Sequence, residues 1–101
     1  MAFNIANFAP IGNTSKPFTA VGTPGAPAVW SYASNDVLTA IDGANYFAGA
    51  VQHLNLYDMI YVVSDVDGTI ISSLLTVNAI SKSAGTVDTT DGTDISATDS
   101  D

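Results

Sequence analysis

The segment MIYVVSDVDGTIISSLLTVNAIS, residues 59–81, decides the fold. Its opening, MIYVVS at 59–64, is rich in β-branched and aromatic residues and predicts a strand. The Asp-Val-Asp-Gly sequence at 65–68 follows, and Asp-Gly supplies the positive φ angles that tight β-turns demand. From Thr69 to Ile80 the chain returns as a second strand. One face of this return strand carries Ile71, Leu75 and Val77, and the other carries Ile70, Leu74 and Thr76. The segment therefore predicts a hairpin whose return strand is buried on both faces or covered by a subunit.

The same turn resembles the start of the active site in the haloacid-dehalogenase phosphatases and phosphotransferases, where an apolar strand runs into Asp-x-Asp-Gly-Thr. The resemblance covers only residues 65–69 and implies that Asp65 is the nucleophile and Asp67 the acid/base, beside a magnesium ion. That family takes a Ser or Thr, a Lys and a further acidic pair from later strands. Residues 70–101 are too few for those βα units, and Lys82 is their single lysine. The favoured interpretation is a hairpin turn without catalysis.

The charge and composition of the chain exclude several classes of function. All ten acidic residues are Asp, and only Lys16 and Lys82 oppose them, which gives a net charge of -8. Such a surface repels nucleic acid phosphates, so no nucleic acid partner is expected. With no cysteine and the single histidine His53, the sequence predicts no disulfide, no zinc site and no cofactor. No apolar run reaches the roughly 18 residues of a membrane span, and no targeting segment is expected, so the sequence predicts no membrane partner.

Residues 1–28 are expected to form an extended, proline-rich arm, because they contain all four prolines of the chain. The arm is too apolar for a solvated tail, which indicates that it lies on a protein surface. The candidate partner-binding residues are Phe3, Ile5, Phe8, Ile11 and Phe18. Apolar burial does not reveal whose surface is covered. The arm is therefore expected on the chain's own core or on a neighbouring subunit, and the sequence leaves both open.

Residues 29–97 are expected to form a compact, mainly-β domain. Val29 to Tyr32 suits a short strand. From Ala44 onward, apolar side chains recur at spacings of three and four, which predicts a short helix that Asp42 could cap. The predicted inward face of this helix is Phe47, Ala48, Val51 and Leu54. His53, near the end of that helix, is interpreted as a solvated or capping side chain, since no nucleophile is recognisably paired with it.

The final segment, GTVDTTDGTDISATDSD at 85–101, predicts two short strands around Asp91-Gly92 and an acidic tail at 98–101. Closely spaced aspartates also resemble calcium loops, because carboxylate oxygens are the ligands that calcium prefers. Asp88, Asp91 and Asp94 recur every three residues, however, whereas helix-loop-helix calcium loops use alternate positions and a closing Glu. A solvated acidic segment without a metal is therefore the favoured interpretation.

Three stretches resemble short virion proteins of tailed bacteriophages: NFAPIG at 7–12, VWSY at 29–32 and ANYFAGAVQHLNLYDMIYVV at 44–63. In that group a Tyr-Phe helix leads into an Asp-Ile/Leu strand, and the chain ends in acidic, Thr-rich sequence. Where such relatives often have Gly-Asp before the strand, this chain has Tyr57-Asp58. The resemblance covers most of the chain and implies a structural role on the particle, as a capsid decoration or cement protein.

Together these patterns predict a mainly β fold: a small antiparallel β-sandwich or barrel with one short α-helix and an extended N-terminal arm. The expected function is a non-enzymatic virion protein, on the outer surface of the capsid, that stabilises the shell by binding the major capsid protein. A homo-oligomer is expected as well, since a chain of 101 residues has little stability to spare. The alternatives are a fibre or tail adhesion module and, less favoured, a minimal phosphotransferase that uses Asp65 and Asp67.

Overall fold

The computed structural model describes residues 2–11 and 27–95, and it confirms the predicted mainly-β fold. The strands are β1 (Phe8–Ile11), β2 (Val29–Ala33), β3 (Met59–Ser64), β4 (Ile71–Ser81), β5 (Thr86–Thr89) and β6 (Thr93–Ile95). The helical elements are α1 (Leu38–Ile41) and two 3-10 helices, Ile5–Asn7 and Tyr46–Ala50. The strand after residue 58, its long return strand and the two short strands around Asp91-Gly92 lie where the sequence predicts them. No helix within the described ranges is long and apolar enough to cross a bilayer.

The strands form one mixed sheet in the order β1-β2-β3-β4-β5, with β6 also paired to β4. The prediction of a purely antiparallel arrangement is wrong at one pair, because β2 and β3 run parallel. Parallel neighbours need a crossover connection, and residues 34–58 supply it with α1 and the second 3-10 helix. Residues 2–11, the described part of the predicted arm, contribute β1, which pairs antiparallel with β2 in the same sheet.

The two short strands β5 and β6 act as one interrupted strand along a single edge of β4. β5 pairs with the second half of β4, and β6 pairs with its first half. An extra residue in β4, Asn78, shifts the register between Val77 and Ala79. Thr90 then donates its N–H to the carbonyl oxygen of Thr76 at 2.9 Å, and the chain gains a residue before Thr93 pairs with Leu74. The two irregularities compensate, so β6 resumes the register that β5 began.

The crossover covers one face of the sheet and forms the core with it. Alternate residues of the central strands point toward this face, as the period of two in a strand requires. The buried apolar side chains are Trp30, Tyr32, Ile60, Val62, Leu75, Val77 and Val87 from the sheet, and Ile41, Phe47, Ala50 and Leu54 from the crossover. Fully burying one large apolar side chain contributes about 1.5–3 kcal/mol, so this layer holds the small domain together.

The prediction of a helix that begins after Asp42 is wrong. The α-helix within the described residues is α1, and Asp42 follows its end instead of capping its start. Asn45 has φ 63°, a left-handed conformation that no helix interior accepts, so the next helical element is only the short 3-10 helix. Of the predicted inward face, Phe47 and Leu54 are fully buried.

Candidate functional site

The connection between β3 and β4 confirms the predicted hairpin. Ser64 pairs with Ile71, and residues 65–70 form the loop. The left-handed φ falls on Asp65, at 53°, and not on Gly68 as the turn chemistry suggested. Gly68 leaves room for this side chain, since a Cβ built on it would lie 2.6 Å from Oδ1 of Asp65 and would force the carboxylate to move. The other carboxylate oxygen of Asp65 accepts a hydrogen bond from the Thr69 N–H at 3.1 Å. The carboxylate of Asp65 thus closes its own loop.

The structure places the remaining phosphotransferase candidates apart. Lys82 follows the end of β4, whereas Asp65 precedes its start. A strand rises about 3.3 Å per residue, so this strand separates the two side chains by roughly 30 Å. The Lys82 ammonium donates to Oδ1 of Asn55 at 3.3 Å. Within residues 2–11 and 27–95 no three His, Asp or Glu side chains are placed to hold one metal ion.

The loop 65–70 is fastened to the segment that follows β2. The N–H of Asp65 donates to the carbonyl oxygen of Asp36 at 2.9 Å, and the N–H of Val66 donates to that of Ser34 at 3.2 Å. The two segments meet because β2 and β3 are parallel neighbours, so their carboxyl ends lie at the same edge of the sheet. A cleft of about 170 Å³ opens there, lined by Asn7, Ala33, Ser34, Asn35 and Val66. We call this region the loop end, and it comprises the 3-10 helix Ile5–Asn7, residues 34–37 and residues 65–70.

Large apolar side chains are exposed at the loop end. The exposed fractions are 51% for Ile5, 49% for Val37, 42% for Val66 and 59% for Ile70. Ile5 belongs to this group because Phe8, just after its 3-10 helix, pairs with Tyr32 near the carboxyl end of β2. Asp65 and Asp67 lie in the same loop as Val66 and Ile70, so this loop carries both acidic and exposed apolar side chains. Protein-binding surfaces typically combine apolar and polar groups in this way.

A partly buried chain of hydrogen bonds supports the loop end from beneath. The Tyr46 hydroxyl donates to Oδ2 of Asp36 at 2.6 Å, so the Tyr32 hydroxyl, 2.9 Å away, donates to Tyr46. Tyr32 accepts in turn from the N–H of Asn4 at 3.1 Å. Burial, reinforced by the hydrogen bond to Asp36, raises the pKa of Tyr46 far above its ordinary value of 10.0. The chain of bonds ties the segment after β2 to the N-terminal residues.

A second buried carboxylate, Asp58, fixes the opposite end of β2 and β3. Its Oδ1 accepts from the N–H of Ala28 at 3.0 Å. Its Oδ2 accepts from Nε1 of Trp30 at 3.0 Å and from the N–H of Asn55 at 3.1 Å. Asp58 is completely buried, and these three donors replace the water that its charge would otherwise bind. The role of Asp58 is therefore to hold the start of the parallel strand pair.

The face of the sheet opposite the crossover carries no charged side chain over its three central rows. The first row is Ile11, Val29, Met59 and Thr76; the second is Ala9, Ser31, Tyr61, Leu74 and Thr93; the third is Ala33, Val63, Ser72 and Ile95. Side chains on the central strands β2 to β4 are mostly half-buried by their neighbours, while Ile11 and Ile95 at the edges are 51% and 41% exposed. We call these three rows the open face. Among the described residues, Asp88 lies opposite Ala79 beyond the first row, and Asp91 lies in the connection between β5 and β6, beside the first two rows.

The predicted partner-binding residues fall in different places. The ring of Phe3 stacks on Tyr32 with centroids 5.2 Å apart, and Phe8 stacks on Trp30 at 4.8 Å, so both contact the chain's own core. Ile5 lies at the loop end and Ile11 at an edge of the open face, both exposed. Phe18 lies outside the described residues, as do the segments 12–26 and 96–101.

Val37, Val66 and Ile70 were not predicted as surface residues. The sequence does indicate exposure for Val66, since it stands between two aspartates inside a turn and has no strand partner to pack against. Ile70 was assigned to the return strand, but β4 begins one residue later. His53 is exposed beside the Trp30 ring, with ring centroids 6.4 Å apart, as expected for a solvated side chain.

Comparison with protein-family models, curated proteins and solved structures finds no match to this chain.

Proposed function

We propose that this chain is a non-enzymatic virion protein of a tailed bacteriophage, which decorates the capsid and stabilises it by binding the major capsid protein on the outer surface. The observation that carries the proposal is the apolar loop end. Its exposed side chains, Ile5, Val37, Val66 and Ile70, come from separate segments of the chain and lie at one end of the sheet. Burial against a second protein removes this apolar area from water, which is the main favourable term in protein association.

The rigidity of the loop end favours such a role. Residues 34–36 and 65–66 are joined by backbone hydrogen bonds, and Asp36 is held from below by Tyr46. A surface that is already ordered loses little conformational freedom when a partner binds, so more of the contact energy appears as affinity. The exposed carboxylate of Asp67 gives the same surface a polar group that orients the partner without enlarging the apolar area.

The resemblance to short phage virion proteins also supports the proposal. Where those proteins often have Gly-Asp before the strand, this chain has Tyr57-Asp58, and Tyr57 has φ 64°. That is the left-handed region in which glycine is favoured. The backbone at this position thus suits the glycine of the group that the chain resembles, and Asp58 in the next position is the buried anchor of β2 and β3.

A binding experiment with particles that lack this protein tests the proposal. Full-length protein, Val66→Asp, Ile70→Asp and the control Ala84→Asp are mixed separately with particles, and the bound copies are measured after sedimentation. Ala84 is an exposed residue in the turn after β4, at the other end of that strand, so the control adds the same charge away from the loop end.

The wild-type and Ala84→Asp proteins are expected to bind across the shell. The two loop-end variants are expected to lose at least about tenfold in affinity, because each places a charge in an apolar contact. Equal binding of all four proteins would contradict the role of the loop end. Saturation of the wild-type protein at a few copies per particle would contradict decoration and support the adhesion module instead.

A further inference from the structure

We propose that the open face binds a second copy of this chain, so that two sheets stack face to face in a two-fold symmetric dimer. The inference goes beyond capsid binding and does not rest on it, since the loop end and the open face are different surfaces. One face of the sheet is already covered by the crossover, and the open face is the other. An antiparallel sheet with a solvated outer face normally alternates apolar and polar residues, whereas here both faces carry large apolar side chains.

The electrostatics of the chain favour a copy of itself as the occupant. Two chains of net charge -8 repel one another over most of their surfaces. The three rows of the open face carry no charge, so they are the surface on which two copies approach with the least repulsion. Among the described residues, Asp88 and Asp91 carry charge at the border of this uncharged area.

The polar groups of the open face are compatible with their own copies. They are the hydroxyl groups of Ser31, Tyr61, Ser72, Thr76 and Thr93. A hydroxyl is both a donor and an acceptor, so it can pair with the same group of a symmetry-related chain, whereas a carboxylate cannot. A two-fold interface requires a surface that complements itself, and apolar side chains with hydroxyl groups meet that requirement.

The dimensions of the open face place the proposed contact among small, reversible interfaces. Five strand positions about 4.8 Å apart and rows spanning about six residues give a planar area of roughly 500 Å² per copy. Specific interfaces typically bury about 800 Å² per partner, and weaker ones bury less than about 600 Å². The dimer is therefore expected at micromolar concentrations and is expected to dissociate on dilution, with the two sheets about 10 Å apart.

Sedimentation velocity over roughly 1 to 500 µM protein tests the proposal without any particle present. The wild-type protein is expected to shift from the mass of one chain to that of two. Tyr61 occupies the middle of the central row, so Tyr61→Asp is expected to keep the protein monomeric over the whole range, and so is Tyr61→Lys. Ala84→Asp, which adds a charge outside the open face, is the control and is expected to dimerise like the wild type.

Mixing the two Tyr61 variants distinguishes a lost contact from a damaged fold. In a two-fold dimer the residues at position 61 lie near each other, so Asp in one copy and Lys in the other attract. The mixture is expected to recover dimer, while each variant alone stays monomeric. Recovery by the mixture is not expected of misfolded proteins.

Other occupants of the open face give different outcomes, and each would overturn the proposal. If residues 12–26 of the same chain cover it, the wild-type protein stays monomeric at every concentration and Tyr61→Asp lowers its melting temperature. If the capsid protein covers it, the free protein is monomeric and Tyr61→Asp abolishes binding to particles. Because the loop-end test uses Val66 and Ile70, failure of either proposal is recognised separately.

Discussion

At the scale of single residues, two buried carboxylates form hydrogen bonds at the two ends of β2 and β3. Asp58 accepts hydrogen bonds from three N–H groups at the start of β2 and β3, and Asp36 accepts one from the Tyr46 hydroxyl at their other end. Asp58 is inaccessible to solvent and Asp36 almost so. Since a buried charge without partners is strongly destabilising, the donors around these two residues fix the local backbone.

We predict that Asp58→Asn destabilises the protein by about 2–4 kcal/mol. An amide has one acceptor oxygen, so its NH₂ group would face an N–H donor that now has no acceptor. The free energy of unfolding is measured in urea, with the exposed change Asp67→Asn as the control of the same chemistry. An Asp58→Asn protein as stable as the control would show that the three donors find other acceptors.

The ionisation of Tyr46 makes the stability of the fold depend on pH in alkaline solution. Burial and the hydrogen bond to Asp36 hold the pKa of Tyr46 above the value of 10.0 that the unfolded chain has. Below pH 10.0 the folded and the unfolded chain both keep the phenolic proton, so the protonated Tyr46 hydroxyl contributes its full stabilisation. Above it the unfolded chain loses the proton first, and folding free energy is lost as the pH rises toward the folded pKa.

We therefore predict that stability falls between about pH 10 and 11 by less than about 1.4 kcal/mol per unit, because solvent screens the half-buried Tyr46. The Tyr46→Phe protein should be less stable at neutral pH but should lose less over the same interval. Urea unfolding of both proteins at pH 9, 10 and 11 provides the comparison. Parallel losses in the two proteins would assign the alkaline sensitivity to other groups.

At the scale of elements, the strands follow from the sequence better than their pairing does. The β-branched and aromatic run before Asp65 and the turn after it predict β3 and β4, because local pattern suffices for a hairpin. The parallel pairing of β2 with β3 could not be predicted, since it depends on the crossover packing back onto the sheet. The helix was misplaced because the left-handed backbone at Asn45 is held from outside, by a hydrogen bond from the Val87 N–H to its side chain at 3.1 Å.

The loop end and the open face were also only partly predictable from the sequence. Ile5 and Ile11 were recognised because apolar residues in a proline-rich segment are conspicuous. The loop end was missed because its members are far apart in sequence and meet only when β2 and β3 lie side by side. The open face was indicated for β4 alone, by the apolar residues on both sides of its pattern. Its extension to β1, β2 and β3 required the register of the whole sheet.

We predict that Gly68→Ala destabilises the protein by about 1–3 kcal/mol, because the new methyl group overlaps the Asp65 carboxylate. The cost should shrink by more than half in an Asp65→Gly background, where the carboxylate is absent and the left-handed φ is still accommodated. A double-mutant cycle measured by urea unfolding supplies all four values. Equal costs in the two backgrounds would place the strain elsewhere in the loop.

The loop 65–70 also leads to a prediction about phosphate-ester hydrolysis. The Asp65 carboxylate is occupied by the Thr69 N–H, so we expect the purified protein to hydrolyse no phosphate ester in the presence of magnesium. Asp65→Asn keeps an acceptor oxygen and tolerates the left-handed backbone, so it should bind particles like the wild type. Magnesium-dependent turnover that disappears in Asp65→Asn would revive the phosphotransferase alternative.

At the scale of the whole molecule, we propose two surfaces with separate partners. The loop end exposes apolar side chains on a hydrogen-bonded backbone and is proposed to bind the major capsid protein. The open face has apolar and hydroxyl side chains without charge in its three rows and is proposed to bind a second copy. The net charge of -8 opposes non-specific association.

Cryo-electron microscopy of particles that carry this protein tests our proposal that it decorates a phage capsid through its loop end. We predict density for the protein repeated over the outer surface of the shell, with Val66 and Ile70 against the major capsid protein. Density confined to the tail or its fibres, or a loop end that points into solvent, would show that the proposal is wrong.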